Sequence, residues 1–207
     1  MAIERELKFS TPRDQPPSEE ELRAALAGAG FDLGAAAGVH NKDRYFDDAR
    51  LNLSRAGLAL RRRMTEGQML ATLKTRGRVD GALHDREEIE LAMEGQEWPQ
   101  VIYNRIAAIT APGLVQPHTL VETERLRYAV LKDGRAAAVL AFDSVTARTQ
   151  HGDRTVSFNE VEIEAHGNTD DATLDAIAAA VAEVIPLTPN SFSKLERVRE
   201  LLMVGDW

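Results

Sequence analysis

The chain contains no cysteine among its 207 residues. This absence excludes disulfide bonds, thiolate zinc sites and cysteine nucleophiles, and it fits a reducing compartment. Aromatic residues are scarce, at 5% of the chain. No apolar run approaches the length of a membrane-spanning helix, so no membrane partner is expected. The first residues show no apolar stretch of the kind found in signal peptides, and we therefore expect a cytoplasmic protein.

Positive charge is in the minority. The chain has 33 acidic residues against 25 lysines and arginines, a formal net charge of −8. Long-range attraction of nucleic acid is therefore not expected, although a local basic site remains possible. Apolar residues make up 43% of the chain, which is typical of a folded globular protein. No stretch resembles an interdomain linker, so we predict one domain over residues 1–207.

Alternating apolar and polar residues predict about eight strands, and short turns such as Asp133-Gly134 favour antiparallel pairing. The predicted strands are 3–9, 39–48, 57–64, 69–76, 84–91, 120–131, 135–148 and 155–165. Four helices are predicted: one opened by a capping box of Ser18 and Glu21, one over 97–109, one opened by Asp170 and one opened by a capping box of Ser193 and Glu196. The sequence thus predicts an α+β fold built on an antiparallel sheet.

Charged residues recur at every second position of these strands. In the first strand, Glu4, Glu6 and Lys8 share one face, opposite the apolar face of Leu7 and Phe9. The other strands carry the sets Arg61 and Arg63; Lys74 and Arg76; Arg86, Glu88 and Glu90; Arg125 and Arg127; Asp143; and Glu160, Glu162 and Glu164. Each set again lies opposite apolar residues, so the sheet has one charged and one apolar face.

Two interpretations explain the charged face. An antiparallel sheet can expose one face to water, which would account for any single strand. Here, however, the signs are segregated by strand, and like charges at this spacing repel unless counter-ions lie between them. A barrel closed with the charged face inward would place both sets in one cavity. Its carboxylates could hold Mg²⁺ or Mn²⁺, and its cations a polyphosphate.

The ordered set of motifs resembles the CYTH family, the triphosphate tunnel metalloenzymes. The residues that carry this resemblance are Glu4-x-Glu6-x-Lys8, Tyr45-Phe46-Asp47, Leu60 to Arg63, Leu73 to Arg76, Arg86 to Glu88, Arg125 to Arg127, Phe142-Asp143, the strand of Glu160, Glu162 and Glu164, and Ser193-Lys194. The resemblance implies a closed eight-stranded antiparallel β-barrel with a charged lumen and helices packed outside. It also implies binding of a triphosphate and a divalent metal.

The resemblance further implies roles for individual residues. It implies catalytic roles for Glu4, Glu6, Lys8, Glu162 and Glu164. It implies substrate binding by Lys8, Arg61, Arg63, Lys74, Arg76, Arg125, Arg127 and Lys194. It implies Mg²⁺ or Mn²⁺ binding by Glu4, Glu6, Asp143, Glu160, Glu162 and Glu164, and it implies that Glu88 is a further acidic residue of the lumen. Because the last strand has three equally spaced glutamates, two alignments of its metal ligands stay open.

Among family members, the chain most resembles bacterial stand-alone inorganic triphosphatases, which implies hydrolysis of tripolyphosphate to pyrophosphate and phosphate. Thiamine triphosphatases place a Trp just before the strand of paired arginines, whereas residues 48–60 contain no aromatic residue. Class IV adenylate cyclases carry a His-Phe pair before the first motif, which is not seen before Glu4. Thiamine or nucleoside triphosphatase activity and non-catalytic polyphosphate binding remain alternatives, with cyclase activity less expected. The oligomeric state is open.

Overall fold

The computed structural model describes residues 2–152 and 154–203 of the chain. The strands are β1 (Ala2–Thr11), β2 (Asp32–Asp47), β3 (Leu58–Thr65), β4 (Gln68–Thr75), β5 (Arg78–Asp80), β6 (Leu83–Ala92), β7 (Gln116–Lys132), β8 (Arg135–Thr149), β9 (Thr155–Ala165) and β10 (Thr188–Pro189). The helices are α1 (Glu19–Gly28), α2 (Asn52–Arg55), α3 (Gln100–Ala107), α4 (Asp171–Ala182) and α5 (Lys194–Met203), with a 3₁₀ turn at Pro112–Leu114.

Eight of these strands form a closed antiparallel barrel. Their order is β1-β9-β8-β7-β2-β3-β4-β6, and pairing of β6 with β1 closes the ring. The short strands β5 and β10 add to β6 and β1. Closure removes the free sheet edges that would otherwise expose unpaired backbone groups. The predicted eight-stranded barrel with helices outside it is thus confirmed.

The long antiparallel neighbours β2 and β7 extend beyond the predicted strand limits. β2 begins at Asp32 rather than at residue 39, because its small residues continue pairing with the β7 segment around Tyr128 to Leu131. A Cβ atom at Gly34 would lie 3.1 Å from the carbonyl oxygen of Ala129, so glycine permits this close approach. Residues 32–38, which precede the predicted second strand, are therefore part of β2.

Two apolar cores lie on the outer face of the barrel. The larger one packs α1 and α4 against β1, β9, β8 and β7, with Leu22, Leu26, Leu174 and Ile177 fully buried. α1 begins with the predicted capping box, in which Ser18 and Glu21 satisfy each other's backbone N–H groups. The smaller core packs α2 and α3 against β3 and β4, through residues Phe46, Leu53, Leu60, Ala71, Leu73, Ile102 and Ile106.

α5 packs differently from the other helices. Its Leu195 and Val198 contact Val145 and Phe158, which share strand parity with the charged residues of β8 and β9. α5 therefore lies across one end of the barrel and seals it with apolar contacts. None of the helices in the described part of the chain is both long and apolar enough to span a bilayer.

Candidate active site in the barrel lumen

The charged faces of the strands converge on the barrel interior. Across β1, the Cα partner of Glu4 is Arg86 on β6, and the partner of Lys8 is Glu162 on β9. The lumen holds a cavity of about 270 Å³. Its charged lining residues are Glu4, Glu6, Lys8, Arg61, Arg63, Lys74, Arg86, Glu88, Glu90, Arg125, Arg127, Glu162, Glu164 and Lys194. Acidic and basic walls thus enclose one small volume.

Three carboxylates meet at the end of the lumen that α5 seals. One oxygen from each of Asp143, Glu160 and Glu162 lies within 4.8 Å of the other two. Lys194, the first residue of α5, places its Nζ atom 2.6 Å from Asp143 and 2.9 Å from Glu160. We call these three carboxylates the acidic trio. The ammonium group of Lys194 supplies part of the positive charge that the trio needs in order to stay ionised.

The electrostatics of the acidic trio differ from residue to residue. Burial would raise the pKa of Glu162, but Lys194, Lys8 and Arg125 lower it well below its usual range. Burial raises the pKa of Glu160, and Lys194 does not fully compensate. Both oxygens of Glu160 are buried without a well-oriented hydrogen bond, although Nζ of Lys194 is close. The trio therefore has unused acceptor capacity.

The two carboxylates of β1 are held by cations from neighbouring strands. Nζ of Lys74 lies 2.8 Å from both oxygens of Glu4, and Arg86 donates hydrogen bonds of 2.7 Å to Glu4 and Glu6. Burial would raise the pKa of Glu4, but Lys74 and Arg86 lower it. Lys8 contacts Glu162 at 2.7 Å and Glu6 at 3.3 Å, which links β1 to the acidic trio.

A buried carboxylate organises the paired arginines of β3. Arg63 donates two hydrogen bonds of 2.7 Å to Asp43 on β2, a bidentate arrangement that fixes the guanidinium plane. Arg61 lies 3.4 Å from the same carboxylate and also bonds Thr72 and Glu90. Burial would raise the pKa of Asp43, but Arg61 and Arg63 lower it. On β7, the other neighbour of β2, Arg125 makes a similar bidentate contact with Asp143.

The other end of the lumen holds two charged residues without ion-pair partners. Arg127 and Glu164 both border the cavity, are exposed, and make no ion pair with any described residue. Partial burial, together with the nearby carboxylates of Glu4, Glu6 and Glu162, raises the pKa of Glu164 to about 7. This end is therefore open to water and carries charges that a ligand could engage without breaking an internal pair.

The structure brings most of the sequence-predicted residues together. Asp143 and Glu160 lie behind the cavity in the acidic trio, and the other predicted residues line it, with one exception. Arg76 lies outside the lumen, because β4 ends at Thr75 and the chain turns away. The predicted metal ligands form two groups: the trio at the sealed end, and Glu4, Glu6 and Glu164 towards the open end.

Several lumen residues were not among the predicted ligands. Arg86 bridges Glu4 and Glu6, and Glu88 and Glu90 reach the cations of β3 and β4. Strand parity indicates that these three residues face the lumen, because they occupy every second position of β6, on its charged face. The sequence indicates a lumen position for Asp43 less clearly. Asp43 shares strand parity with Tyr45, but its neighbours Lys42 and Arg44 are charged and exposed, so the charged and apolar faces cannot be told apart there. Its bidentate role depends on the pairing of β2 with β3.

The acidic trio fits a divalent cation of the Mg²⁺ or Mn²⁺ type. All three donors are carboxylates, the ligand class that hard cations prefer, and the unsatisfied oxygens of Glu160 can accept further coordination. The donor set contains no sulfur, since the chain has no cysteine. Lys194 already lies against the trio, so a bound cation and this ammonium would have to share its negative charge.

The CYTH domain model matches residues 2–198 of this chain. The chain belongs to the CYTH domain family. No curated protein matches its sequence.

Solved structures share the fold at low identity. The proposed adenylyl cyclase HpAC1 from Hippeastrum, described as having a dominant triphosphatase activity, is 18% identical and has a TM-score of 0.65, with 95% of both chains covered. A proposed adenylate cyclase from Bacillus halodurans is 17% identical, with a TM-score of 0.55 and coverage of 95% of this chain and 98% of that one. The protein PH1819 from Pyrococcus horikoshii is 14% identical, with a TM-score of 0.51 and coverage of 95% and 99%.

These likenesses show that this CYTH protein shares the fold of those structures. Family membership confirms the predicted triphosphate tunnel fold, and the acidic trio agrees with the divalent-metal dependence that is general in the family.

Proposed function

We propose that this CYTH protein is a metal-dependent hydrolase that cleaves inorganic tripolyphosphate to pyrophosphate and phosphate, with residues 1–207 acting as one domain. The observation that carries the proposal is the lumen itself. Lysines and arginines from several walls face one cavity of about 270 Å³, next to carboxylates that suit a hard cation. A compact polyanion with a bound divalent cation would satisfy both sets of charges.

The basic residues of the lumen bind and orient the substrate in this proposal. Arg61 and Arg63 are locked by Asp43, and Arg125 by Asp143, so their guanidinium groups are pre-oriented for phosphate oxygens. The full set of substrate-binding residues comprises Lys8, Arg61, Arg63, Lys74, Arg125, Arg127 and Lys194, with Arg76 at the periphery. Pre-oriented cations stabilise negative charge that grows on the leaving oxygen without reorganising at the moment of reaction.

The carboxylates hold the cation and handle the proton. Asp143, Glu160 and Glu162 would hold Mg²⁺ or Mn²⁺, which supplies Lewis-acid polarisation of phosphate oxygens when bound. Glu4 and Glu6 complete the proposed metal-binding and catalytic set on β1. Glu164, whose pKa is raised to about 7, is placed to accept a proton from the attacking water at the open end. Attack forms a new oxygen–phosphorus bond and releases pyrophosphate as the leaving group.

The alternative functions differ in the group, if any, that is attached to the triphosphate of the ligand. Thiamine or nucleoside triphosphates need room for a ring, and class IV adenylate cyclase activity needs a nucleotide. A binding module would retain the cation set without turnover. The lumen lining contains one aromatic side chain, Tyr45, which is buried and packs in the same apolar cluster as Leu195 of α5. No stacking surface in the described lumen therefore favours an organic triphosphate.

A turnover panel tests this proposal. Purified protein is assayed for phosphate release from tripolyphosphate, ATP and thiamine triphosphate with Mg²⁺, with Mn²⁺ and with excess chelator. We expect tripolyphosphate to be cleaved fastest, chelator to abolish turnover, and Glu162→Gln to reduce it by several orders of magnitude. Met203→Ala, an exposed change on α5, is the control and should retain full activity.

The panel also separates the alternatives. Binding of tripolyphosphate without phosphate release would support a binding module, and faster turnover of ATP or thiamine triphosphate would support an organic substrate. Turnover that persists in excess chelator would contradict the metal-dependent mechanism.

A further inference from the structure

A second cavity opens beside the lumen, and we call it the annex. It has a volume of about 310 Å³ and lies between the start of β3, the end of β4, β5, the start of β6 and the first turn of α5. Its wall is partly that of the lumen, since both cavities are lined by Ala59, Lys74, Arg86, Ser193 and Leu195. The annex therefore adjoins the lumen, and the side chains of Lys74 and Arg86 lie on the wall that the two cavities share.

Two glycines allow the backbone conformation that forms the annex. The backbone N–H of Arg76 donates to the carbonyl of Gly57 at 2.5 Å, and Gly57 has a φ of +75° that disfavours other residues. A Cβ atom at Gly77 would lie 1.6 Å from the carbonyl oxygen of Asp85, so only glycine allows the chain to cross β6 there. The chain consequently leaves the barrel wall at Arg76 and carries Arg76 and Arg78 into the annex.

Guanidinium groups dominate the charge of the annex. Arg76 is exposed and makes no ion pair with any described residue, and Arg78 pairs with Asp80 only at the water-exposed surface. Arg199, half-buried, donates to Ser54 and so keeps its charge near the cavity. The two carboxylates in the lining are Asp85 and Glu196, and the latter is engaged in capping α5. The arginines thus outnumber the available carboxylates.

The annex offers no platform for a ring. Its described lining consists of glycine, serine, threonine, aliphatic and charged residues together with His84, and it includes no Phe, Tyr or Trp. Ring recognition generally uses aromatic stacking, whereas arginine forks suit phosphate oxygens. The Nε2 atom of His84 is already engaged, because it lies 2.9 Å from the carbonyl oxygen of Asn190. The chemistry of the annex therefore favours additional phosphate groups over an organic group.

We propose that the annex binds the phosphates beyond the third of a linear polyphosphate whose first three phosphates occupy the lumen. The inference rests on the proposed function and narrows its substrate class to unbranched inorganic polyphosphates of four or more phosphates, in addition to tripolyphosphate. Lys74 and Arg86 border both cavities and would contact the polyphosphate chain where it crosses from one to the other. Arg76 and Arg78 would contact the distal phosphates of the chain, and Arg199 would contribute positive charge from the inner wall of the annex.

Binding without turnover tests this proposal. Tripolyphosphate, linear pentaphosphate and ATP are titrated calorimetrically into the protein in excess EDTA. The wild type should bind pentaphosphate about tenfold more tightly than tripolyphosphate, since two exposed guanidinium contacts each contribute a few-fold. The Arg76→Ala/Arg78→Ala variant should lose this preference, so that the ratio of the two dissociation constants falls to about one. The Arg135→Ala/Arg148→Ala variant, which removes the same charge from exposed positions of β8, should keep it.

Each other result overturns the proposal. Equal wild-type affinities for the two polyphosphates, or the same loss in both double variants, would show that the annex makes no specific contact. A larger loss for ATP than for pentaphosphate in the Arg76/Arg78 variant would assign the annex to an organic group. Failure of the proposed function is seen separately, as absence of phosphate release from tripolyphosphate with Mg²⁺ or Mn²⁺, and it leaves the affinity ratio measurable.

Discussion

At the scale of single residues, the lumen charges fall into two kinds. Most are locked in buried ion pairs, as Arg61 and Arg63 are by Asp43. Arg127 and Glu164 instead border the cavity without an ion-pair partner among the described residues. Breaking a buried pair leaves an uncompensated charge in a low-dielectric site, whereas removing a free charge does not. Removal of a paired lumen residue should therefore lower both stability and ligand affinity, whereas removal of an unpaired one should lower ligand affinity alone.

The two arginines provide a matched comparison. Arg127→Ala should weaken tripolyphosphate binding with a change in unfolding free energy below about 0.5 kcal/mol, as for most exposed substitutions. Arg61→Ala should weaken binding and also cost about 2–4 kcal/mol of stability, because Asp43 loses one of its two guanidinium partners. Urea denaturation and calorimetric titration measure both quantities. An equal stability loss in the two variants would contradict the assignment of Arg127 as unpaired.

Glu164 should make stability depend on pH. Its pKa is raised from 4.5 to about 7, so between these values the folded state keeps a proton that the unfolded state releases. Stability therefore falls as pH rises through this window, and the penalty is complete above pH 7. Glu164→Gln should stabilise the metal-free protein at pH 8 by about 1 kcal/mol after allowance for solvent screening, and by almost nothing at pH 4.

Thermal denaturation of both proteins in EDTA at the two pH values measures this difference. A stabilisation of the same size at pH 4 and pH 8 would show that the effect comes from packing or hydrogen bonding and not from ionisation.

At the scale of elements, α5 has two tasks. Its first residue, Lys194, neutralises part of the acidic trio, and its apolar face seals the barrel end against Val121, Val145 and Phe158. The helices α1 and α4, by contrast, cover the outer face only. Because α5 contacts both the site and a core, loosening it should affect stability and ligand binding together.

Leu195→Ala should destabilise the protein by about 2–4 kcal/mol, the usual cost of truncating a buried leucine. It should also weaken tripolyphosphate binding, since Leu195 borders the lumen cavity next to Lys194. Met203→Ala, at the exposed end of the same helix, should change neither. If Leu195→Ala lowered stability while the affinity stayed at the wild-type value, α5 would serve the core alone.

At the scale of the whole molecule, the free barrel confines many like charges that a ligand could neutralise. A ligand that binds only the folded state stabilises it by about 2.7 kcal/mol at a hundredfold excess over its dissociation constant. Tripolyphosphate in EDTA should therefore raise the thermal midpoint by several degrees. Sulfate or monophosphate at equal ionic strength should raise it much less, because neither reaches cations on several strands at once. Equal shifts from all three anions would indicate general charge screening.

The sequence alone determined the strand faces, and with them most of the lumen. Strand side chains alternate strictly, so the charged positions of β1, β3, β4, β7 and β9 were readable without the fold. The ordered motifs then identified the barrel and the family. Capping boxes likewise marked the starts of the helices at Ser18 and Ser193, because those hydrogen bonds are local in sequence.

Only the tertiary structure decided which charges meet and which way the chain turns at the barrel ends. The pairing of Asp43 with Arg63 depends on the register between β2 and β3, and that of Lys194 with Asp143 joins residues 51 positions apart. Arg76 has the parity of a lumen residue, yet the close crossing of Gly77 over β6 takes it into the annex. Parity is a local property of one strand, whereas register, helix placement and strand ends depend on contacts with distant parts of the chain.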